Sequence, residues 1–241
     1  MLLKDVSFPS PEENILYDEV LLHLAEQGKS GGVLRFWESP ETFIVLGRIG
    51  KEQDDIKIDA ARKDRVPVLR RASGGGTVVQ GKGCLNYSLV LPKPPGSPLA
   101  DLRGSYAYIL GKVIAALKML DVETVFCPIS DIALAESLRK VSGNAQKRGR
   151  HFFLHHGTIL YDFDLTAMER YLHLPKDIPE YRRGRTHPEF VANIPRAVAD
   201  IKNALSDVFG VDRRECDLDT DERDGLKAFL SRRNAAVKLV A

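Results

Sequence analysis

The chain has 241 residues, 44% of them hydrophobic, which is enough for one large domain, or for a core with a modest appendage. Its 35 lysines and arginines nearly balance 33 aspartates and glutamates, so the overall field does not mark a nucleic-acid binder. No apolar run approaches the roughly 18 residues that span a bilayer, and Met1-Leu2-Leu3-Lys4-Asp5 meets an acid too early for a secretory leader; a soluble, cytoplasmic protein without membrane partners is expected. Cys84, Cys127 and Cys216 form neither a CxxC pair nor an even disulfide framework, in keeping with a reducing compartment.

After the turn at Pro9-Ser10-Pro11, Leu16, Val20, Leu21 and Leu24 recur at helical spacing, predicting a helix over about 11–27 that ends in Gly28–Gly32. The apolar runs 33–37 and 42–46, separated by Ser39-Pro40, read as neighbouring strands, and a short helix is expected near 56–63. Residues 67–70, 77–79 and 85–91 continue in β character. Four of the 13 prolines fall in 92–98, a loop, and a helix over about 102–120 follows. Strand signal resumes at 124–126, 132–134, 152–154 and 157–161, as a second sheet segment. Helices are expected near 166–172, 195–208 and 219–234. Without strict strand-helix alternation, this order predicts an α/β (α+β) fold on a largely antiparallel sheet.

The strip Arg70-Arg71-Ala72-Ser73-Gly74-Gly75-Gly76-Thr77-Val78-Val79 joins paired cations, a hydroxyl and three glycines. Glycines bare the backbone amides and arginines offer planar donors, which suits an anionic ligand, while a plain tight turn between strands is the simpler reading. It is not a P-loop: Gly83 replaces the hydroxyl residue after Lys82, and a strand follows instead of a helix. Nor is it a dinucleotide fingerprint, since Val79 stands where a third glycine belongs. A second cluster, Arg139 to Arg148, sets Lys140 before a Ser-Gly turn and reads either as a phosphoryl or carbonyl site or as a solvated basic hairpin. His155 and His156 are adjacent, so on a strand they face opposite ways and do not share a metal; a hydrogen-bonding role is expected for the one that faces a site.

Taken in order, RRASGGGTVVQGKGCLNYSL, RKVSGNAQKR and HHGTILYDFDL resemble the lipoate-protein ligase A family, within the wider superfamily of biotin and lipoate ligases and octanoyltransferases, over roughly residues 1–195. The resemblance implies a core related to class II aminoacyl-tRNA synthetases, with 1–194 as the catalytic domain and 195–241 as a short helical extension, not a full accessory domain. It also implies that ATP and lipoate form lipoyl-adenylate, with Mg²⁺ accompanying ATP, and that the acyl group passes to a lysine of an apo lipoyl-domain acceptor. Carried onto this chain, Arg71, Ser73, Gly74, Gly75, Gly76, Thr77, Val78 and Val79 match the nucleotide and lipoate loop, with His156, Gly157 and Thr158 beside it. Lys140 matches the central lysine, an electrostatic catalyst for both steps.

Gln80-Gly81 departs from the His-Asp that ligases of this family often carry there, and the short extension raises the need for an accessory subunit. A rival within the superfamily is an ATP-independent octanoyl or lipoyl transferase working through a Cys127 thioester, since Cys127 lies upstream of Lys140 where such transferases place their nucleophile; a buried, inert thiol is the plainer reading. Cys84 is a lesser candidate and Cys216 is incidental. From a different class comes a non-catalytic module that captures lipoyl domains or RNA through the basic segments 139–150 and 181–185.

Overall fold

A computed structural model describes residues 1–176 and 178–238, so Asp177 and the last three residues of the expected extension lie outside the described residues. Strand β1 (Leu2–Asp5) leads to α1 (Pro11–Glu26), which has Pro11 in its first turn and Glu12 and Glu13 at its positive end. Then follow β2 (Val33–Trp37), β3 (Phe43–Leu46), two short helices α2 (Glu52–Asp55) and α3 (Ile58–Lys63), and the strands β4 (Val68–Arg70), β5 (Val78–Gln80) and β6 (Cys84–Pro92). Past the proline loop, Asp101 caps α4 (Leu102–Lys118) by accepting from the Gly104 amide at 2.8 Å. Strands β7 (Thr124–Cys127), β8 (Asp131–Leu134), β9 (Lys140–Arg148) and β10 (Phe152–Leu160) come next. The chain closes with α5 (Thr166–Tyr171), a 3-10 turn (Glu180–Arg182), α6 (His187–Phe190), α7 (Val198–Phe209), β11 (Arg213–Glu215) and α8 (Thr220–Lys238).

Eight strands form one sheet in the order β11-β1-β2-β6-β10-β9-β8-β7, and β4-β3-β5 form a small second one. All pairings from β2 to β7 are antiparallel, while β1 runs parallel to β2 and to β11. The largely antiparallel sheet flanked by helices therefore agrees with the expectation. Alternation sends Tyr87, Leu89 and Phe153 to one face, where they meet α4 and α7, and Val33, Val90 and Leu154 to the other, where they meet α1 and α8. The small sheet also lies on this second face, joined to α1 through Ile15, Trp37, Phe43 and Val45.

Three expectations are corrected. Residues 33–37 and 43–46 are not neighbouring strands, because the Ser39-Pro40 link carries the chain from the large sheet to the small one. The strands after α4 join the same large sheet instead of a second segment. Most consequentially, 140–148 is neither a turn nor a solvated hairpin but a nine-residue strand between β8 and β10. The stretch from 195 onward supplies α7 and α8 to the two cores and β11 to the sheet. No helix among the described residues is long and apolar enough to cross a membrane.

Candidate active site

Lys140 owes its direction to a break in register. Asp131 pairs with Gly143 and Ile132 with Ser142, but Ala133 pairs with Lys140, so Val141 is the extra residue of a β-bulge. An unbroken ladder would turn Lys140 toward the α4 core, and the extra residue turns it to the opposite face. There it folds back over Gly143: a Cβ at that glycine would stand 2.9 Å from both Cε and Nζ of Lys140. The ammonium, with the side chain 26% exposed, lies 2.8 Å from Asp131 Oδ1, and Tyr181 donates to Asp131 Oδ2 at 2.6 Å.

The glycine loop crosses the same face. A Cβ on Gly75 would sit 3.7 Å from the Ala145 methyl, one pleat along β9 from Gly143, or about 7 Å along the strand. Beneath the loop, Arg71 donates through Nη2 to Gly74 O at 2.7 Å and Gly76 O at 2.8 Å, through Nε to Ser73 Oγ at 3.0 Å, and through Nη1 to Val45 O at 3.3 Å. Burial lowers its guanidinium to about 10, which leaves it cationic at neutral pH. Because a trans peptide points its C=O and N–H in opposite directions, turning the Gly74 and Gly76 carbonyls toward Arg71 turns the Gly75 and Thr77 amides away from it. Arg70 is used likewise, donating to Gly47 O and Gly50 O at 2.9 and 2.7 Å. Both arginines thus grip carbonyls, Arg71 those of the glycine loop and Arg70 those of the 47–50 turn.

Two kinds of glycine result. Gly47 is demanded by packing, since its Cβ would fall 2.1 Å from Gly75 O, and Gly75 by its φ of +85°. At Gly74 and Gly76 an added Cβ would meet nothing within 4 Å among the described residues, so packing does not explain their bareness. Thr77 ties the loop's end to α2 through a 2.6 Å bond to Asp55 Oδ2, and Val78 and Val79 continue into β5. At the far end of β9 from Lys140, an open depression of about 500 Å³ is lined by Arg48, Arg70, Arg71, Ala72, Lys147, Glu19 and Arg233. Glu19 pairs with Lys147 and Glu12 with Arg233, each at 3.0 Å, so part of its positive charge is already offset.

On β10 the two histidines do point apart. His156 faces the loop, with Nε2 2.6 Å from Ser73 Oγ, while His155 lies on the α4 face, with Nε2 3.2 Å from Asn144 Oδ1. Burial, aided by the Arg71 charge at His156 and by His156 at His155, lowers both to about 3, so both rings are neutral at pH 7. Gly157 is a packing requirement: its Cβ would lie 1.9 Å from Asn144 Oδ1 and 2.6 Å from Tyr87 OH, which donates to that same oxygen. Thr158 follows on the His156 face, beside Cys84.

Cys127 is buried at the end of β7, opposite Asp131. Burial first, and then the Asp131 carboxylate, push its thiol up, with Arg185 opposing. The lysine that might have activated it is paired with Asp131. The basic segments are also committed to the chain: Arg148 donates to Leu99 O and Ala100 O, Arg139 to Pro188 O, and Arg185 to Leu138 O and Tyr181 O. Asp131 and Tyr181 escaped the sequence reading, which counted the cations and not the acids opposite them. A lone aspartate opening the β-run Ile132-Ala133-Leu134 was the available signal.

The eight-stranded mixed sheet between helical layers, with a small second sheet beside it, is the fold of the lipoate ligases. Solved structures with that architecture include lipoate-protein ligase A bound with ATP, at a TM-score of 0.81, 21% identity and coverage of 95% of this chain and 93% of that one. The bi-partite lipoate protein ligase of Thermoplasma acidophilum, described together with its E2 lipoyl domain as an archaeal lipoylation system, matches at 0.80 and 21%, covering 95% and 91%. Residues 10–210 match the family model described as the lipoyl protein ligase A/B catalytic domain, and the chain belongs to that family. Among its curated relatives, a probable lipoate-protein ligase A of Mycoplasma pneumoniae is 30% identical over 69% of this chain and 47% of its own length. An octanoyltransferase of Staphylococcus epidermidis is 27% identical over 65% and 64%. The chain spans about half or less of the first ligase relatives it matches, 47% and 37% of their lengths.

Proposed function

We propose that this chain is a lipoate-protein ligase that uses ATP to convert lipoate to lipoyl-adenylate and passes the acyl group to a lysine of an apo lipoyl domain. The observation that carries this reading is the Lys140 ammonium held on the face crossed by the glycine loop. In the first step a lipoate carboxylate oxygen attacks the α-phosphorus of ATP and pyrophosphate leaves. In the second, the acceptor amine attacks the acyl carbon, loses a proton, and AMP leaves. Negative charge grows on phosphoryl oxygens and then on the carbonyl oxygen, and the outward Gly75 and Thr77 amides with Lys140 are suited to receive both. Lys140 acts as a fixed charge, not as a nucleophile. The neutral His156 holds Ser73 at the loop's entry without adding a competing charge.

Among the described residues no group of three or more metal-ligating side chains occurs, so Mg²⁺ would enter on the phosphates of ATP, and its charge would help neutralise them. The Thermoplasma ligase, described as bi-partite and named with its E2 lipoyl domain as a lipoylation system, supports a lipoyl-domain acceptor and an accessory chain. Octanoyl transfer through Cys127 is the competing reading, which the Staphylococcus relative supports and the raised thiol opposes. Incubating apo lipoyl domain with the protein, lipoate and ATP, or with octanoyl-acyl-carrier protein and no ATP, and weighing the acceptor separates the two. The ligase reading requires a mass gain in the first mixture that survives Cys127→Ser. A gain only in the second, abolished by that substitution, would replace it.

A further inference from the structure

We propose that Asp131 is a positioning residue for the reaction: its carboxylate fixes the Lys140 ammonium on the face that the glycine loop crosses, and Tyr181 fixes the carboxylate. The role in catalysis rests on the ligase reading above, whereas the geometry stands without it. A lysine carries its charge on a flexible four-carbon stem with many rotamers, so a charge meant to meet two successive transition states needs an anchor. Lys140 starts its strand at a bulge, just after the turn at residues 135–137, and that turn holds the backbone but not the ammonium. What holds it is the cross-strand carboxylate, 2.8 Å away, with Gly143 as the bare floor between them.

Asp131 is itself held on every side. Its backbone pairs with Cys127 on one strand and Gly143 on the other, and its two oxygens are divided between Lys140 and Tyr181. Tyr181 is in turn held, its ring 5.1 Å from that of Phe190 and its carbonyl accepting from Arg185 at 2.8 Å. Arg185 also donates to Leu138 O, two residues before Lys140. Three segments therefore converge on one carboxylate whose only cationic side-chain contact among the described residues is the lysine. As a stabilising ion pair it would contribute little, since solvent screens a partly exposed pair and holding two side chains in one geometry costs entropy. The side chains are 26% and 14% exposed, so the arrangement is better explained by aim than by stability.

Asp131→Asn keeps the shape and an acceptor for Tyr181 but removes the charge that holds the lysine, and Asp131→Glu keeps the charge on a longer arm. Loss of orientation predicts that Asp131→Asn lowers kcat for adenylate formation about ten- to a hundredfold, with KM for ATP and lipoate changed less than about threefold, and that Asp131→Glu recovers part of the loss. Unchanged kcat in Asp131→Asn, or a fall explained by a lost thermal transition, would overturn the proposal. A second measurement is independent of activity. Under competitive labelling of the intact chain with acetic anhydride, Lys140 should react more slowly than the exposed Lys118, and its rate should rise several-fold in Asp131→Asn while that of Lys118 stays put. Equal Lys140 rates in the two proteins would also overturn it. If the wild-type protein acylates with neither donor nor with preformed lipoyl-adenylate, which needs no chain to activate it, the ligase reading fails, and the labelling result still decides the place of Asp131.

Discussion

A Cβ added to Gly76 would meet nothing within 4 Å among the described residues, and the φ of this glycine lies outside the left-handed region. Alanine fits there without strain, and by restricting the unfolded chain it should raise stability by about 0.4–1 kcal/mol. The same methyl would occupy space that the bare loop offers to an anion approaching the outward Thr77 amide. Loss of one charge-assisted hydrogen bond costs about 1.5–3 kcal/mol, or about ten- to a hundredfold in kcat/KM. Gly75→Ala forms the contrast: with φ at +85° and Arg71 Nη2 3.0 Å from the new Cβ, it should lose about 1–2 kcal/mol of stability as well. Urea unfolding and adenylate formation measured on both variants separate the two effects. A Gly76→Ala protein that keeps kcat/KM within twofold would refute the argument that this backbone is bare for a ligand.

Gly157→Ala should destabilise the fold by about 2–4 kcal/mol in urea, because it displaces Asn144 from Tyr87 and His155 and leaves buried polar atoms unpaired; a change below 1 kcal/mol would contradict the packing account. Arg71→Lys replaces a fork by a point charge that cannot grip Gly74 O, Gly76 O and Ser73 Oγ together, so affinity for a non-hydrolysable acyl-adenylate analogue should fall by about tenfold or more in titration calorimetry, with the main unfolding transition retained. Stability should also depend on pH through His155 and His156. With folded values near 3 against an ordinary 6.5, the unfolded chain takes up protons first, so this contribution is full above 6.5 and is lost as pH falls from there toward 3. The urea midpoint should decline between pH 7 and pH 5, and less steeply in His156→Gln; an equal slope in both proteins would count against the assignment.

Much of the fold was legible because its central strands carry their own pattern: Cys84–Pro92 and Phe152–Leu160 are continuous β-runs, and the proline loop and capped α4 mark the return between them. The strand that matters most was not. Ser142-Gly143-Asn144 looks like a turn, yet Gly143 is there to make room for the folded-back Lys140, and Ser142 and Asn144 enter a buried network that local propensity does not register. The parallel strands β1 and β11, at one end of the sheet, are four and three residues long and owe their pairing to tertiary docking. In the candidate site, the glycine strip, Lys140 and His156 could be named from their residue types, but their common face could not, since it depends on a one-residue bulge at Val141. Asp131 was hidden for the same reason: its partner is nine positions away in sequence, on the neighbouring strand but opposite Ala133 in register, and only the bulge turns the two side chains to one face.

The direct test of the central claim is Lys140→Ala, assayed for acyl transfer from lipoate and ATP to an apo lipoyl domain by the mass of the acceptor. The account predicts loss of the mass gain with an unchanged circular dichroism spectrum and thermal transition, because Lys140 supplies charge to the cleft and its partly exposed ion pair adds little to the fold. Acylation of the acceptor at the wild-type rate by that variant would contradict it.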